Sequence, residues 1–358
     1  MRQVRSMTAR VAAALCLGLL LAAGALQPAS AQQLRPFKFA SLGERPTSAG
    51  EIYFGLGLEK GWFKEAGIDF QVRRMLSNVA YPAIVSGEVD GALYGSSAAI
   101  AALRGAPMVV AYFDQISSPW SLIVDPKKVK TAADLKGVRC VAATGAKTAT
   151  HIAWAAMIDA VGGDPKAFQA VGIGQPPPFW LEALRAGTAE CMLGFDAAWA
   201  GLAQREGFKQ MSYLPDVAPM QSNGLTVAKA ALADPARRRL VGDVIGVFLR
   251  SHAYIRVEAN RAEVAGIVQK WMGSPKGLTE ADFAAAVAEI AKLAPPKGYI
   301  EDESVLDTVL KAALKYGIYD ANEFKVDPAK ASLVAAGTID QSVAKEAASW
   351  GGPNFRRP

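Results

Sequence analysis

Two stretches of the sequence carry polar side chains at a spacing suited to holding a small ligand. Residues 86–103 read as a helix ending at Gly87, a short buried strand over Asp90–Tyr94, a turn at Gly95-Ser96-Ser97 and a second helix starting at Ala98. A helix that begins at Ser96 or Ser97 aims unpaired N–H groups and the positive end of its dipole past the strand's carboxyl edge, where an anion or a polar group can sit. One hundred residues later, residues 186–202 repeat the grammar, with Gly187 against Gly87, Glu190 against Asp90 and Leu193 against Leu93. After a one-residue step, Asp196-Ala197-Ala198 falls against Ser97-Ala98-Ala99. Ala-rich helix–strand–helix units resemble one another by composition alone, so architecture without function is the competing reading of the repeat. Taken at face value, two similar α/β halves face a shared cleft, with Ser96 and Ser97 on one side and Asp196 and Trp199 on the other.

Further candidates cluster at other predicted strand ends. Ala143-Thr-Gly-Ala-Lys-Thr-Ala-Thr150 is a strand end, a glycine turn and a hydroxyl-rich helix start, in which Thr148 and Thr150 could bind a carboxylate, sulfonate or phosphate. It lacks the lysine–serine spacing of a nucleotide P-loop. Arg45 and Thr47, with Glu44 and Ser48, lie in the loop after the first strand, although isolated loop residues are more often merely solvated. Trp120, Phe195 and Trp199, with Trp180, could form a rigid aromatic wall, with core packing as the plain alternative. Arg45 and the hydroxyl turns favour an anionic group; Asp196 would repel one; the aromatics favour a planar ring.

These residues must be positioned by alternating strands and helices. A strand at Phe37–Leu42 leads through Gly43–Ser48 into a helix over Ala49–Lys60, followed by the Trp62-Phe63 pair, read as core, and a strand from Ile68. The second half runs strand Val138–Ala143, helix to Ala160, strand Phe168–Gly172, helix Pro178–Ala186, strand Glu190–Phe195 and a helix from Asp196. Such alternation implies parallel sheets with right-handed crossovers. Crossings between the halves are expected near Phe113–Trp120 and Asn223–Lys229. This gives one lobe from 32–117 and 229–358 and a second from 118–228. Packing helices follow at Pro235–Glu258, Arg261–Met272, Glu280–Leu293 and Ser304–Tyr316, and the polar tail after Ala335 reads as partly loose.

Residues 1–31 combine Arg2, Arg5 and Arg10 with an apolar run from Val11 to Leu26 and a small-residue end, Pro28-Ala29-Ser30-Ala31, the pattern of a cleaved secretory signal peptide. Removing them reduces the 39 basic residues to 36 against 33 acidic ones, so the net charge falls from +6 to +3 and nucleic acid is not expected as a partner. Cys140 and Cys191 are left, readable as a disulfide that export permits or, as favoured here, as two buried thiols. His151 and His252 sit on separate predicted helices, and no metal or cofactor is expected.

Glu59-Lys-Gly-Trp-Phe-Lys-Glu-Ala-Gly-Ile-Asp69 resembles the periplasmic binding proteins of the nitrate, sulfonate and thiamine-pyrimidine-precursor family, which serve ABC importers. Ser77-Asn78, Ser86-Gly-Glu-Val-Asp90, Thr131-Ala-Ala-Asp-Leu-Lys-Gly137 and Asn223-Gly-Leu-Thr-Val227 continue the resemblance in order. It implies the type II binding-protein fold, two α/β lobes joined by two crossing segments. It also implies a periplasmic, non-enzymatic monomer that closes on a small solute and delivers it to the importer's membrane subunits. Two alternatives share the fold: a pyrimidine-precursor biosynthetic enzyme, for which Lys147 and His151 are the tempting pair, and a ligand-sensing module for a periplasmic receptor. The absence of a Gly-x-Ser-x-Gly elbow argues against a hydrolase.

Overall fold

In β1 (Arg35–Ser41) the rings of Phe37 and Phe39 are buried, and the strand pairs in parallel with β2 (Ile68–Arg74) on one side and β3 (Gly91–Tyr94) on the other. This is a computed structural model, and it describes residues 33–44, 46–174, 176–273, 275–351 and 354–357. The predicted leader at 1–31 and the candidate Arg45 lie outside the described residues. The remaining strands are β4 (Met108–Phe113), β5 (Ser121–Val124), β6 (Arg139–Ala142), β7 (Gln169–Gly172), β8 (Cys191–Gly194), β9 (Lys209–Tyr213) and β10 (Asn223–Ala228). Helices of eight residues or more are α1 (Ile52–Glu59), α2 (Ser77–Ser86), α3 (Ser96–Leu103), α4 (Ala149–Ala160), α5 (Pro177–Arg185), α6 (Ala197–Arg205), α7 (Pro235–Arg256), α8 (Arg261–Trp271), α9 (Glu280–Leu293), α10 (Thr308–Lys315) and α11 (Ser342–Ser349).

The strands form two five-stranded sheets of the same design, ordered β2-β1-β3-β10-β4 and β7-β6-β8-β5-β9. In each, three parallel strands are followed by an antiparallel strand in the fourth place, β10 in the first sheet and β5 in the second. The repeat seen in the sequence is therefore structural. Gly87 and Gly187 both end their helices with positive φ, at 78° and 67°, where a glycine avoids a Cβ clash. Asp90, just before β3, accepts the backbone N–H of Lys38 midway along β1 (2.8 Å), and Glu190, just before β8, accepts that of Arg139 at the start of β6 (2.9 Å).

Four expectations are corrected. Asn223–Ala228, expected in the second lobe, is the fourth strand of the first sheet, so the return crossing precedes Asn223. Strand pairing partners are not encoded locally, which is why a six-residue apolar run could be placed on the wrong side of the hinge. The C-terminal helices do not belong to one lobe alone: α9 packs on both α8 and α6, and α10 packs on α4 of the second lobe. The tail after Ala335 is not loose. Thr338 and Asp340 exchange backbone hydrogen bonds with Val110 of β4, and α11 buries Val343, Ala344 and Ala347 against α7. Cys140 and Cys191 stand in register on neighbouring strands, Cα atoms 4.5 Å apart, paired as a disulfide and not as two free thiols.

Trp62 and Phe63 are core residues, as read from the sequence; Phe63 stacks on Phe70 at 4.0 Å, within an aromatic cluster that includes Phe39, Phe54 and Phe248.

Candidate functional site

Between the lobes lies a narrow cleft lined by Tyr94, Ser97, Trp120, Thr144, Thr148, Thr150, Trp180, Phe195, Ser222 and Asn223, with Leu42, Ser77, Leu93, Ala143 and Ala149. These are hydroxyl, amide, aromatic and aliphatic side chains; the described lining holds no charged group and no imidazole. Its cavity volume is about 40 Å³, space for a few water-sized bodies and too little for an aromatic ring, so a solute of that size enters only if the lobes part.

Among the described residues, Arg74 Nη2 of the first lobe donates to Gly174 O of the second (2.8 Å), and two further hydrogen bonds between the lobes are related by the repeat. Ser97 Oγ, in the first turn of α3, accepts the N–H of Ala149 at the start of α4 (2.9 Å). Asp196 Oδ2, at the N-cap of α6 after β8, accepts the N–H of Ala49 at the start of the helix that follows β1 (3.2 Å). Each lobe thus reaches from the end of its third strand to the first helix of the other. Asp196 also caps its own helix, Oδ1 accepting from Ala198 N (3.0 Å) and Trp199 N (3.2 Å). Burial outweighs these three hydrogen bonds and pushes its carboxyl up to about 6. Behind it, Glu289 of α9 accepts the N–H of Ala197 and the hydroxyl of Tyr213, both at 2.8 Å. Burial, and then the neighbouring Asp196, raise it to about 7.

The other sequence candidates fall into groups. Ser97, Trp120, Thr148, Thr150 and Phe195 line the cleft, Trp120 and Phe195 lying 6.0 Å apart. Ser96 does not: it is buried, it does not cap α3, and its hydroxyl donates to the carbonyl of Gln221 in the return crossing. Asp196 serves as a clasp and cap outside the lining. Thr47 and Trp199 line an adjoining groove with Pro46, Pro176, Pro178 and Trp271, and Thr47 donates to Glu51 Oε2 (2.9 Å). Glu51 is buried, also takes the Ser41 hydroxyl (2.7 Å), and is raised by burial against those bonds.

The hydroxyl-rich turn differs from its expected role. Thr148 Oγ1 lies 2.6 Å from Gly145 O and 2.7 Å from Thr150 Oγ1, and Thr150 Oγ1 lies 2.9 Å from Thr144 O and 2.8 Å from Thr144 Oγ1, so the hydroxyls of this turn are engaged with one another and with the backbone. Lys147 is held by Glu323 (2.9 Å), and His151 receives the N–H of Lys147 and packs edge-on to Phe168.

Tyr94, Ser222 and Asn223 were missed as site residues because their place in the lining comes from β10 crossing beside β3. Ser48, Asp114, Gln115 and Trp199 carry buried polar side-chain atoms without hydrogen-bond partners, Oγ, Oδ2, Nε2 and Nε1 respectively. Only their burial distinguishes Asp114 and Gln115; no sequence pattern marks them.

Residues 51–256 match the family model described as NMT1/THI5 like. The chain belongs to that family. A similar solved structure is that of a Bordetella bronchiseptica RB50 protein, at 19% identity and a TM-score of 0.65, covering 87% of this chain and 96% of that one. The periplasmic nitrate-binding protein NrtA from Synechocystis is similar at 14% identity and 0.64, covering 88% of each chain. The alkanesulfonate-binding protein SsuA from Xanthomonas axonopodis pv. citri, bound to MOPS, is similar at 14% and 0.63, covering 85% of this chain and 97% of that one. The desulfurization enzyme DSZB also shares the fold, at 13% and 0.54, covering 87% and 98%. Likeness at these identities establishes the periplasmic-binding-protein fold. No curated protein matches the sequence.

Proposed function

We propose that the protein is an exported solute-binding protein that closes two lobes on a small, ring-bearing organic solute and presents the closed form to the membrane subunits of an ABC importer. The observation that carries this reading is the pair of clasps, Ser97 to Ala149 and Asp196 to Ala49, that bring the lobes together over a cleft walled by Trp120, Trp180 and Phe195. A solute that bridges the same two walls adds differential affinity for the closed form, which is what shifts an open–closed equilibrium. The leader at residues 1–31 supports a periplasmic location after its removal. The solutes named for NrtA and SsuA support a small polar or organic ligand.

DSZB shows that this fold also hosts catalysis, so an enzyme is the second reading. It finds little support in the cleft: Lys147 is engaged by Glu323, His151 faces Phe168, and the described lining offers no general acid or base. Small-angle scattering with and without a saturating solute found by thermal-shift screening tests the proposal. Compaction with no change in molecular mass is expected. An unchanged scattering curve at saturation overturns it.

A further inference from the structure

A second cavity, of about 380 Å³, lies between the C-terminal turns of α7, the turn that follows α9 and the end of α11, and it shares no lining residue with the cleft. That volume falls in the range of small-molecule sites, roughly 300–1,000 Å³. Glycine shapes it. Gly298 has φ 80°, and a Cβ there would stand 2.5 Å from Leu249 Cδ2, so a larger residue would push the turn off α7. The walls are apolar at Leu249, Tyr299, Ala348 and Phe355, and the three cations that line the cavity are unequally matched. Lys297 is paired with Glu301 (2.7 Å) and Lys345 with Glu303 (2.8 Å). The Arg256 guanidinium is half-buried, and its Nη2 donates to the carbonyls of Ala294 (3.3 Å) and Pro295. Among the described residues no carboxylate pairs with Arg256, and its Nε and Nη1 meet no acceptor. Burial lowers its pKa, opposed only by the Tyr112 phenol, which is itself neutral because burial raises it. A cation held partly out of water without a counter-charge is an arrangement that a bound anion relieves.

We propose that this cavity is a second binding site, separate from the cleft, that takes a small organic carboxylate, with the carboxylate on Arg256 and the apolar body against Leu249, Tyr299 and Phe355. A carboxylate is planar and accepts two neighbouring guanidinium N–H groups at once, which the single oxygen of an amide or an alcohol does not. The two lysines stay with their glutamates, so one uncompensated cation meets the ligand and a mono-anion neutralises it. A neutral molecule of the same shape fills the apolar walls and leaves Arg256 unpaired. The site does not depend on what the cleft binds.

The test sets benzoate against benzamide, which has the same shape without the charge. Calorimetry on the mature chain is expected to show benzoate bound about tenfold tighter or more. Arg256→Gln should erase that preference. Because this variant also gives up part of the hold on the Ala294 and Pro295 carbonyls, Ala348→Leu serves beside it. It keeps Arg256, adds bulk to a half-buried wall position near the end of α11, and should weaken benzoate about tenfold or more with an unchanged melting curve. Crystals soaked in 4-bromobenzoate should show the bromine, by its anomalous signal, against Leu249 and Phe355. Equal affinity for benzoate and benzamide, no benzoate binding at millimolar concentration, a folded variant of either kind that binds benzoate like the parent, or a bromine found in the cleft alone would each overturn the site. None of these results touches the reading of the cleft, which scattering tests by itself.

Discussion

Asp196→Asn separates the two roles of the clasp carboxyl by their opposite dependence on pH. Asparagine has one acceptor oxygen, so it can keep the cap on Ala198 and Trp199 or the bond to Ala49, and one buried N–H loses its partner. Leaving such a donor unpaired costs about 1–3 kcal/mol. The parent carries a different cost. Its carboxyl is pushed up to about 6 from an ordinary aspartate value of 3.8, so the native state holds a proton that the unfolded chain releases between those two values. Stability from this group is therefore full below pH 4, falls as pH rises through 6 and is level above about 7. The charged form costs the native state about 3 kcal/mol relative to the neutral one, at 1.36 kcal/mol per unit. The variant lacks that slope, and loss of the Asp196 charge also lets Glu289 titrate lower, which flattens its profile further. Urea unfolding should find Asp196→Asn less stable than the parent by about 1–3 kcal/mol at pH 4 and equal to it or more stable at pH 8. A difference that stays constant across that range, or grows with pH, would refute the argument.

Ser97→Ala removes the other clasp, worth about 0.5–1.5 kcal/mol, and should weaken solute affinity about two- to tenfold in calorimetry with an unchanged melting curve; parental affinity would count against a closing role. Gly224→Ala drives a methyl group into the backbone carbonyl of Tyr112 on the neighbouring strand, and chemical unfolding should show a loss of about 3 kcal/mol or more. Trp62→Ala, which empties the space between Tyr254 and the Arg250 guanidinium, should cost about 3–5 kcal/mol in the same assay without moving the affinity of the variant that remains folded.

The lobes were legible in the sequence because a repeat at one-hundred-residue spacing is written in residues that act locally: glycines that end helices, acids that sit at strand starts, small residues that open the next helix. The clasps lay at positions the repeat singled out, Ser97 and Asp196, but their partners, Ala149 and Ala49, carry nothing except a backbone N–H. Their bonding inverts the expected logic, since the helix starts hold the protein's own acceptors. The lodging of β10 in the first sheet and the reach of α9 and α10 across both lobes depend on contacts distant in sequence, which local patterns do not record. Ser48 was a candidate only as a loop residue, and Asp114 and Gln115 were invisible because burial without a partner is a property of the folded surroundings.

The place of β10 between β3 and β4 has a consequence for the order of folding. A chain that emerges N-terminus first has made β1 to β4 before it makes anything of the second sheet, yet those four strands cannot be zipped into their native row, because the strand that separates two of them arrives more than a hundred residues later. The edges of β3 and β4 must wait while all five strands of the second sheet are produced. Contacts so far apart in sequence close slowly and leave paired edges open in the meantime. The second lobe is thus an interruption that the first must outlast, and the same topology makes Phe113 and Gly224 direct neighbours once folding ends. A two- to four-residue turn joining β4 to β10 would bridge that gap, returning the first sheet to a continuous sequence with its slowest contact made local.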